Sequence, residues 1–167
     1  RQRYYDNVED AIVMWCHDIR AMTIAPGSTR FERPARTAPV NDDLTIDEST
    51  LILGIETSCD ETAAALVMGG YDVVSSVVST QVDLHAEFGG VVPEIASRAH
   101  LDVLNPVIAR AIVESGVEDS RIAAIACTVG PGLIAALPVG VSAAQSLPLA
   151  WDVPFTGLHH MVAHRSP

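Results

Sequence analysis

Lysine is absent from this chain of 167 residues, and all ten basic side chains are arginine against 21 Asp and Glu, a net charge of -11. So acidic a balance argues against a free-standing nucleic-acid binder, because phosphate contacts need Lys and Arg. A basic partner or a further domain would have to bring any nucleic acid to it. Aromatic residues are also scarce at 5%, so Ala, Val, Ile and Leu must fill the core. The three cysteines, Cys16, Cys59 and Cys127, are odd in number and widely spaced, which fits a reducing compartment better than a disulfide framework. No run reaches the roughly 18 unbroken apolar residues of a membrane helix, and no charged start leads into an apolar secretory run. A cytosolic protein with no membrane partner is the expectation.

What is present falls into pieces. Tyr4-Tyr5 and Ala11 to Cys16 read as two short strands around a polar turn at Asp6-Asn7. Residues 21–49 carry Pro26, Pro34 and Pro39 with no periodicity, the texture of a linker. From residue 50 the texture changes. Leu51 to Thr57 reads as a buried strand, Ala63 to Met68 as a second, and Val73 to Val78 as a third after the turn Gly69-Gly70-Tyr71-Asp72, giving an antiparallel meander. A short helix over Pro93 to His100 and a longer one through Leu101, Leu104, Val107, Ile108, Ala111 and Ile112 follow, stopped at Ser115-Gly116. Ile122 to Val129 is a continuous apolar strand. A helix from Leu133 to about Trp151 comes next, then Phe155 to His159 as a strand or an approach loop. Pro138 is tolerable near that helix's first turn, whereas Pro148 should kink or end it. The order β-β-β-α-α-β-α-β predicts an α/β fold, a mixed sheet with packed helices.

Several stretches stand where α/β folds collect ligands, at strand ends and helix starts. The turn Glu56-Thr57-Ser58-Cys59-Asp60-Glu61-Thr62 holds three carboxylates and three hydroxyls. It reads as a ligand or nucleophile-orienting turn, or as a solvated hairpin. Gly130-Pro131-Gly132-Leu133 lets backbone N–H groups approach an anion, or supplies a tight turn. His160 and His164, four apart, share one face of a helix if one forms and there could grip a divalent metal. Met161 stands where a His-Glu-x-x-His peptidase has its glutamate, which counts against a simple metallopeptidase. His85, Glu87 and Glu94 face a cleft or lie in a solvated connector, and Cys59 and Cys127 are candidate thiols, with Cys127 the more buried by pattern.

Taken together, Leu53-Gly54-Ile55-Glu56-Thr57-Ser58-Cys59-Asp60-Glu61-Thr62, His85-Ala86, Gly89 to Glu94, Ala96-Ser97-Arg98 with His100, Gly130 to Leu133, and His159-His160-Met161 with His164 resemble the N-terminal part of the TsaD family, the tRNA N6-adenosine threonylcarbamoyltransferases. The resemblance spans roughly residues 51–164. It implies a ribonuclease H-like, actin-type lobe, and transfer of threonylcarbamoyl from threonylcarbamoyl-AMP to N6 of adenosine 37 in tRNAs reading ANN codons. It further implies His160 and His164 as ligands of one divalent metal, Fe2+ first and Zn2+ second, with a third ligand, an aspartate, outside this chain. Asp60 and Glu61 match acidic residues at the family's active centre, and Gly130 and Gly132 are the substrate-binding candidates. Partners implied are tRNA and TsaB-type and TsaE-type subunits. The alternatives are a non-catalytic partner-type subunit of the same complex and a metal-dependent peptidase. Arg3-Tyr4-Tyr5 with Glu9 to Met14 resembles the last strands of RimI-type alanine N-acetyltransferases, so the expected organisation is an acetyltransferase remnant over 1–20, a linker over 21–49, and a partial lobe, inactive alone, over 50–167.

Overall fold

A computed structural model describes residues 46–163; the expected acetyltransferase remnant and nearly all of the expected linker lie outside the described residues, as does His164. Three strands open the fold: β1 (Leu51–Glu56), β2 (Glu61–Met68) and β3 (Asp72–Thr80). They form the expected meander, β1 antiparallel to β2 with Leu53 opposite Leu66, and β2 antiparallel to β3. Gly69 and Gly70 take φ of 63° and 81° in the tight turn between β2 and β3, a region open to glycine. Then come α1 (Val82–Ala86), α2 (Pro93–Ser115), β4 (Ile122–Gly130), α3 (Leu137–Trp151), β5 (Phe155–His159) and the single turn α4 (His160–Ala163). The sheet order is β3-β2-β1-β4-β5, with β4 parallel to both β1 and β5. This is the mixed sheet with packed helices that was expected.

The central strands read as continuous apolar runs because both of their faces are buried. Every residue of β1 is buried. On one face Leu51, Leu53, Ile55, Leu66 and Ile125 meet Leu104, Val107, Ile108 and Ala111 of α2 and Ala144 of α3. On the other, Ile52, Ala63, Ala65, Val67, Ala124, Ala126 and Leu158 form a second cluster that reaches Ala163 in α4.

Two helical boundaries differ from expectation. The two helices expected between Pro93 and Ser115 are one. Pro93 suits a first helical position, where its missing N–H is not needed, and Gly116 closes the helix at φ 65°. His100, at the expected break, is fully buried within the helix. α3 begins at Leu137 rather than Leu133, and it reaches Trp151 as expected, closing on Asp152 at φ 60° with Pro148 inside it. Leu147 and Trp151 pack against the core here and offset the proline's disruption of the turn before it. Pro138 stands at the start of α3, where it is tolerated. The stretch after β3 is not only a solvated connector either, since α1 forms there and buries His85.

Gly140 of α3 lies beneath the loop that follows β1. A Cβ there would stand 2.5 Å from Thr57 Oγ1 and 3.3 Å from Cys127 Sγ. Alanine gains about 1 kcal/mol in helix propensity over glycine, but overpacking costs about 1–3 kcal/mol. Gly140→Ala is therefore expected to destabilise the fold, read as a lower urea midpoint at unchanged slope; a higher midpoint would contradict this packing.

Candidate functional site

The parallel strands β1, β4 and β5 all end on one side of the sheet, and all three sequence motifs meet there. Glu56 ends β1, Gly130 ends β4, and His160 follows β5 directly. The loops are in contact: Leu133 N–H donates to Ser58 O at 2.7 Å, Thr57 Oγ1 donates to Ala136 O at 3.0 Å, and Gly140 N–H donates back to Thr57 Oγ1 at 3.1 Å. Gly132 is required by this approach, because a Cβ would stand 2.6 Å from Ser58 O. Space beside Gly130 is open, and its φ of 153° favours glycine. Of the three hydroxyls in the acidic turn, Thr57 and Thr62 are fully buried and engaged by the protein itself.

Glu56 is the hub of the site. Its carboxylate accepts from Ser58 N–H, from Thr128 Oγ1 at 2.5 Å, and faces His160 Nδ1 at 3.4 Å. Burial pushes this carboxyl up, yet the bonds from His160, Ser58 and Thr128 outweigh burial and hold it below the ordinary value. The same hydrogen bond holds the His160 imidazole above its ordinary pKa, with burial opposing. Ser58 Oγ also lies 3.4 Å from His160 Nδ1. Glu61 is half-buried, and burial together with the charges of Asp60 and Glu56 pushes it up to about 7. Asp60 is its neighbour at the mouth of the turn. Cys59 is pushed up to about 11 by burial and by Asp60, so its thiol is protonated near neutrality, and burial pushes Cys127 up further. The thiol readings find no support.

The donor chemistry around His160 suits one corner of a metal site. A carboxylate that accepts a hydrogen bond from Nδ1–H orients a neutral imidazole with its lone pair on Nε2, as behind many metal-bound histidines. Among the described residues no three His, Cys, Asp or Glu groups could hold a metal together. The stretch from His85 to Glu94 does not converge on a cleft: His85 is buried and bonded to Gln81 Oε1 at 3.1 Å, Glu87 is exposed, and exposed Glu94 pairs with Arg98 at 2.8 Å. Glu56 stands in the sequence reading only as one of the three carboxylates of its turn, and Thr128 and His100 have no part in the candidate site there. A lone glutamate closing an otherwise apolar strand was the available signal for the first, and a histidine in register with Ala96 and Leu104 for the last.

An α/β lobe with a mixed five-stranded sheet, and with an acidic turn and an imidazole at one end of it, is the class of protein that fold and site define. The family described as TsaD, tRNA N6-adenosine threonylcarbamoyltransferase, matches residues 72–166, and the chain belongs to it. A relative from Pelobacter propionicus called tRNA N6-adenosine threonylcarbamoyltransferase is 59% identical over 114 residues, 68% of this chain and 34% of that protein. One of the same name from Halalkalibacterium halodurans is 48% identical over 122 residues, 73% of this chain and 36% of that protein. The chain thus spans about a third of the length of these relatives. Among solved structures, YeaZ from Pseudomonas aeruginosa is 24% identical with a TM-score of 0.49, covering 66% of this chain and 44% of that one. No helix among the described residues is long and apolar enough to cross a membrane.

The lowered pKa of Glu56 sets a pH dependence. Its contribution to stability is present above the unfolded value near 4.5 and is lost as pH falls through the lower folded value. Thr128→Val removes one donor to the charged form and should cost about 1.5–3 kcal/mol near pH 7. The cost should shrink near pH 3, as Glu56 takes up protons in the variant first. Urea unfolding at both pH values measures this, and an equal loss at both would be inconsistent with an ionised Glu56.

Proposed function

We propose that this lobe serves threonylcarbamoyl transfer from threonylcarbamoyl-AMP to N6 of adenosine 37 in tRNAs reading ANN codons. The observation that carries the reading is that Asp60 and Glu61, within electrostatic reach of Glu56, lie at the strand end where Glu56 meets His160, in a chain whose relatives bear that activity as their name. In the transfer, a bond forms between N6 and the carbamoyl carbon, the bond from that carbon to the AMP oxygen breaks, and N6 gives up a proton. Glu61 is suited to take it: a carboxylate with a pKa of about 7 is largely ionised just above neutrality and still a competent base. Asp60 beside it keeps the local potential negative and so favours proton uptake at Glu61. The open side of the Gly130 turn is where the donor would lie against backbone, while Gly132 keeps that turn seated on Ser58.

His160 together with His164 would hold a divalent metal, Fe2+ or Zn2+, which when bound supplies a Lewis acid and an anchor for the donor. Glu56 would orient the His160 ring through Nδ1. The acidic surface calls for phosphate contacts from elsewhere, since of the three arginines among the described residues Arg98 and Arg110 are taken up by Glu94 and Glu114. TsaB-type and TsaE-type partner subunits and the rest of the polypeptide are the sources we infer, in the cytosol where tRNA is processed.

The test is modification of tRNA by the intact protein with its partners and threonylcarbamoyl-AMP. Because the base must be ionised, kcat should climb as pH rises through about 7 and level off above it. Glu61→Gln should lower kcat by about 10²–10⁴ and abolish that inflection. An unchanged rate and profile would remove Glu61 from the chemistry.

A further inference from the structure

Behind the acidic turn lies a chain of buried polar groups that the transfer reading does not use. His100 on α2 is fully buried. Its Nε2 lies 3.0 Å from Cys59 O, and its Nδ1 lies 2.7 Å from Thr62 Oγ1 and 3.3 Å from Gln81 Nε2. Gln81 Nε2 also reaches Ala96 O at 3.3 Å, while Gln81 Oε1 faces His85 Nε2 at 3.1 Å. Val92 N–H donates to His85 Nδ1 at 3.3 Å.

The polarity of this chain is determined at both ends. Cys59 O can only accept, so His100 Nε2 carries a proton. A neutral His100 ring then accepts at Nδ1, from the Thr62 hydroxyl and the Gln81 amide. Val92 N–H can only donate, so His85 accepts at Nδ1 and donates from Nε2 to Gln81 Oε1. Every donor meets an acceptor, and both rings are neutral Nε2–H tautomers. Burial, the leading influence on His100, lowers its pKa and agrees with this. Gln81 N–H also donates to Asp60 O at 3.0 Å. The two consecutive carbonyls of Cys59 and Asp60 are therefore both tied to this network.

We propose that His100 is a positioning residue for the reaction: through Cys59 O it sets the backbone that carries Asp60 and Glu61. The inference rests on reading that turn as the transfer site. Donation to a single carbonyl, rather than ring bulk, is what matters, so a side-chain amide should substitute for the imidazole in part.

The experiment compares His100→Leu, His100→Gln and Glu61→Gln in the intact protein, with 15N spectra of the wild-type imidazoles. Displacing reacting groups by about 1 Å costs on the order of 100-fold. His100→Leu should thus lose about that much kcat with the KM for tRNA within about twofold, and His100→Gln should recover at least about tenfold of it. The wild-type His100 ring should show the neutral Nε2–H tautomer at neutral pH. A wild-type kcat for His100→Leu beside an impaired Glu61→Gln overturns the positioning role alone, as do equal defects in the Leu and Gln variants. An Nδ1–H or charged His100 ring overturns it even if His100→Leu does not fold. A fully active Glu61→Gln instead removes the transfer-site reading, and the positioning role falls with it.

Discussion

One ionised carboxylate inside the fold organises the rest. Glu56 is only 6% exposed, and a buried charge of this kind is tolerated only when it is hydrogen-bonded and paired. Its partners come from different places in the chain: Ser58 N–H from its own loop, Thr128 from β4, and His160 from the turn after β5. Satisfying Glu56 therefore requires β1, β4 and α4 to stand in one register. Any fold that slipped β4 by one residue would move Thr128 to the opposite face and leave the charge uncompensated.

Close approach of loops does the remaining positioning, and it depends on missing side chains. Gly132 is pressed against Ser58, Gly140 lies under Thr57, and Gly157 of β5 leaves no room for a Cβ beside Val129. These contacts seat the acidic turn on the start of α3 from one side, while His100 and Gln81 hold it from the other. The carboxylates then divide by environment. Glu56 is kept ionised by donors, whereas Glu61, half-buried and next to two negative charges, is held near neutrality. Separating the pKa values of neighbouring carboxyl groups in this way is what acid–base chemistry at neutral pH requires.

Much of the strand pattern was legible because apolar runs and tight-turn glycines are local signals. The meander, the stop at Gly116 and the strand from Ile122 follow from them. The helices were less legible. Two helices meeting at His100 were expected, and the structure has one, with the His100 ring held by buried partners inside it. Pro148 reads as a kink or a stop, and α3 holds it one turn before its end at Trp151, with Leu147 and Trp151 packed against the core. His85 looked like a cleft or solvent residue and is a buried link in a hydrogen-bond chain instead.

The sequence by itself determined which residue types bear the chemistry and the family to which they belong, since motif identity and spacing survive in a linear string. It also determined the alternation of strands and helices, because hydrophobic period is a property of neighbours along the chain. Only the tertiary structure decided which of those residues meet. The Glu56–Thr128 and Glu56–His160 contacts join residues 72 and 104 positions apart, and the His100–Cys59 contact joins residues 41 apart. Such pairings, and the pKa shifts that follow from them, arise from burial and proximity in space, which a linear pattern does not encode.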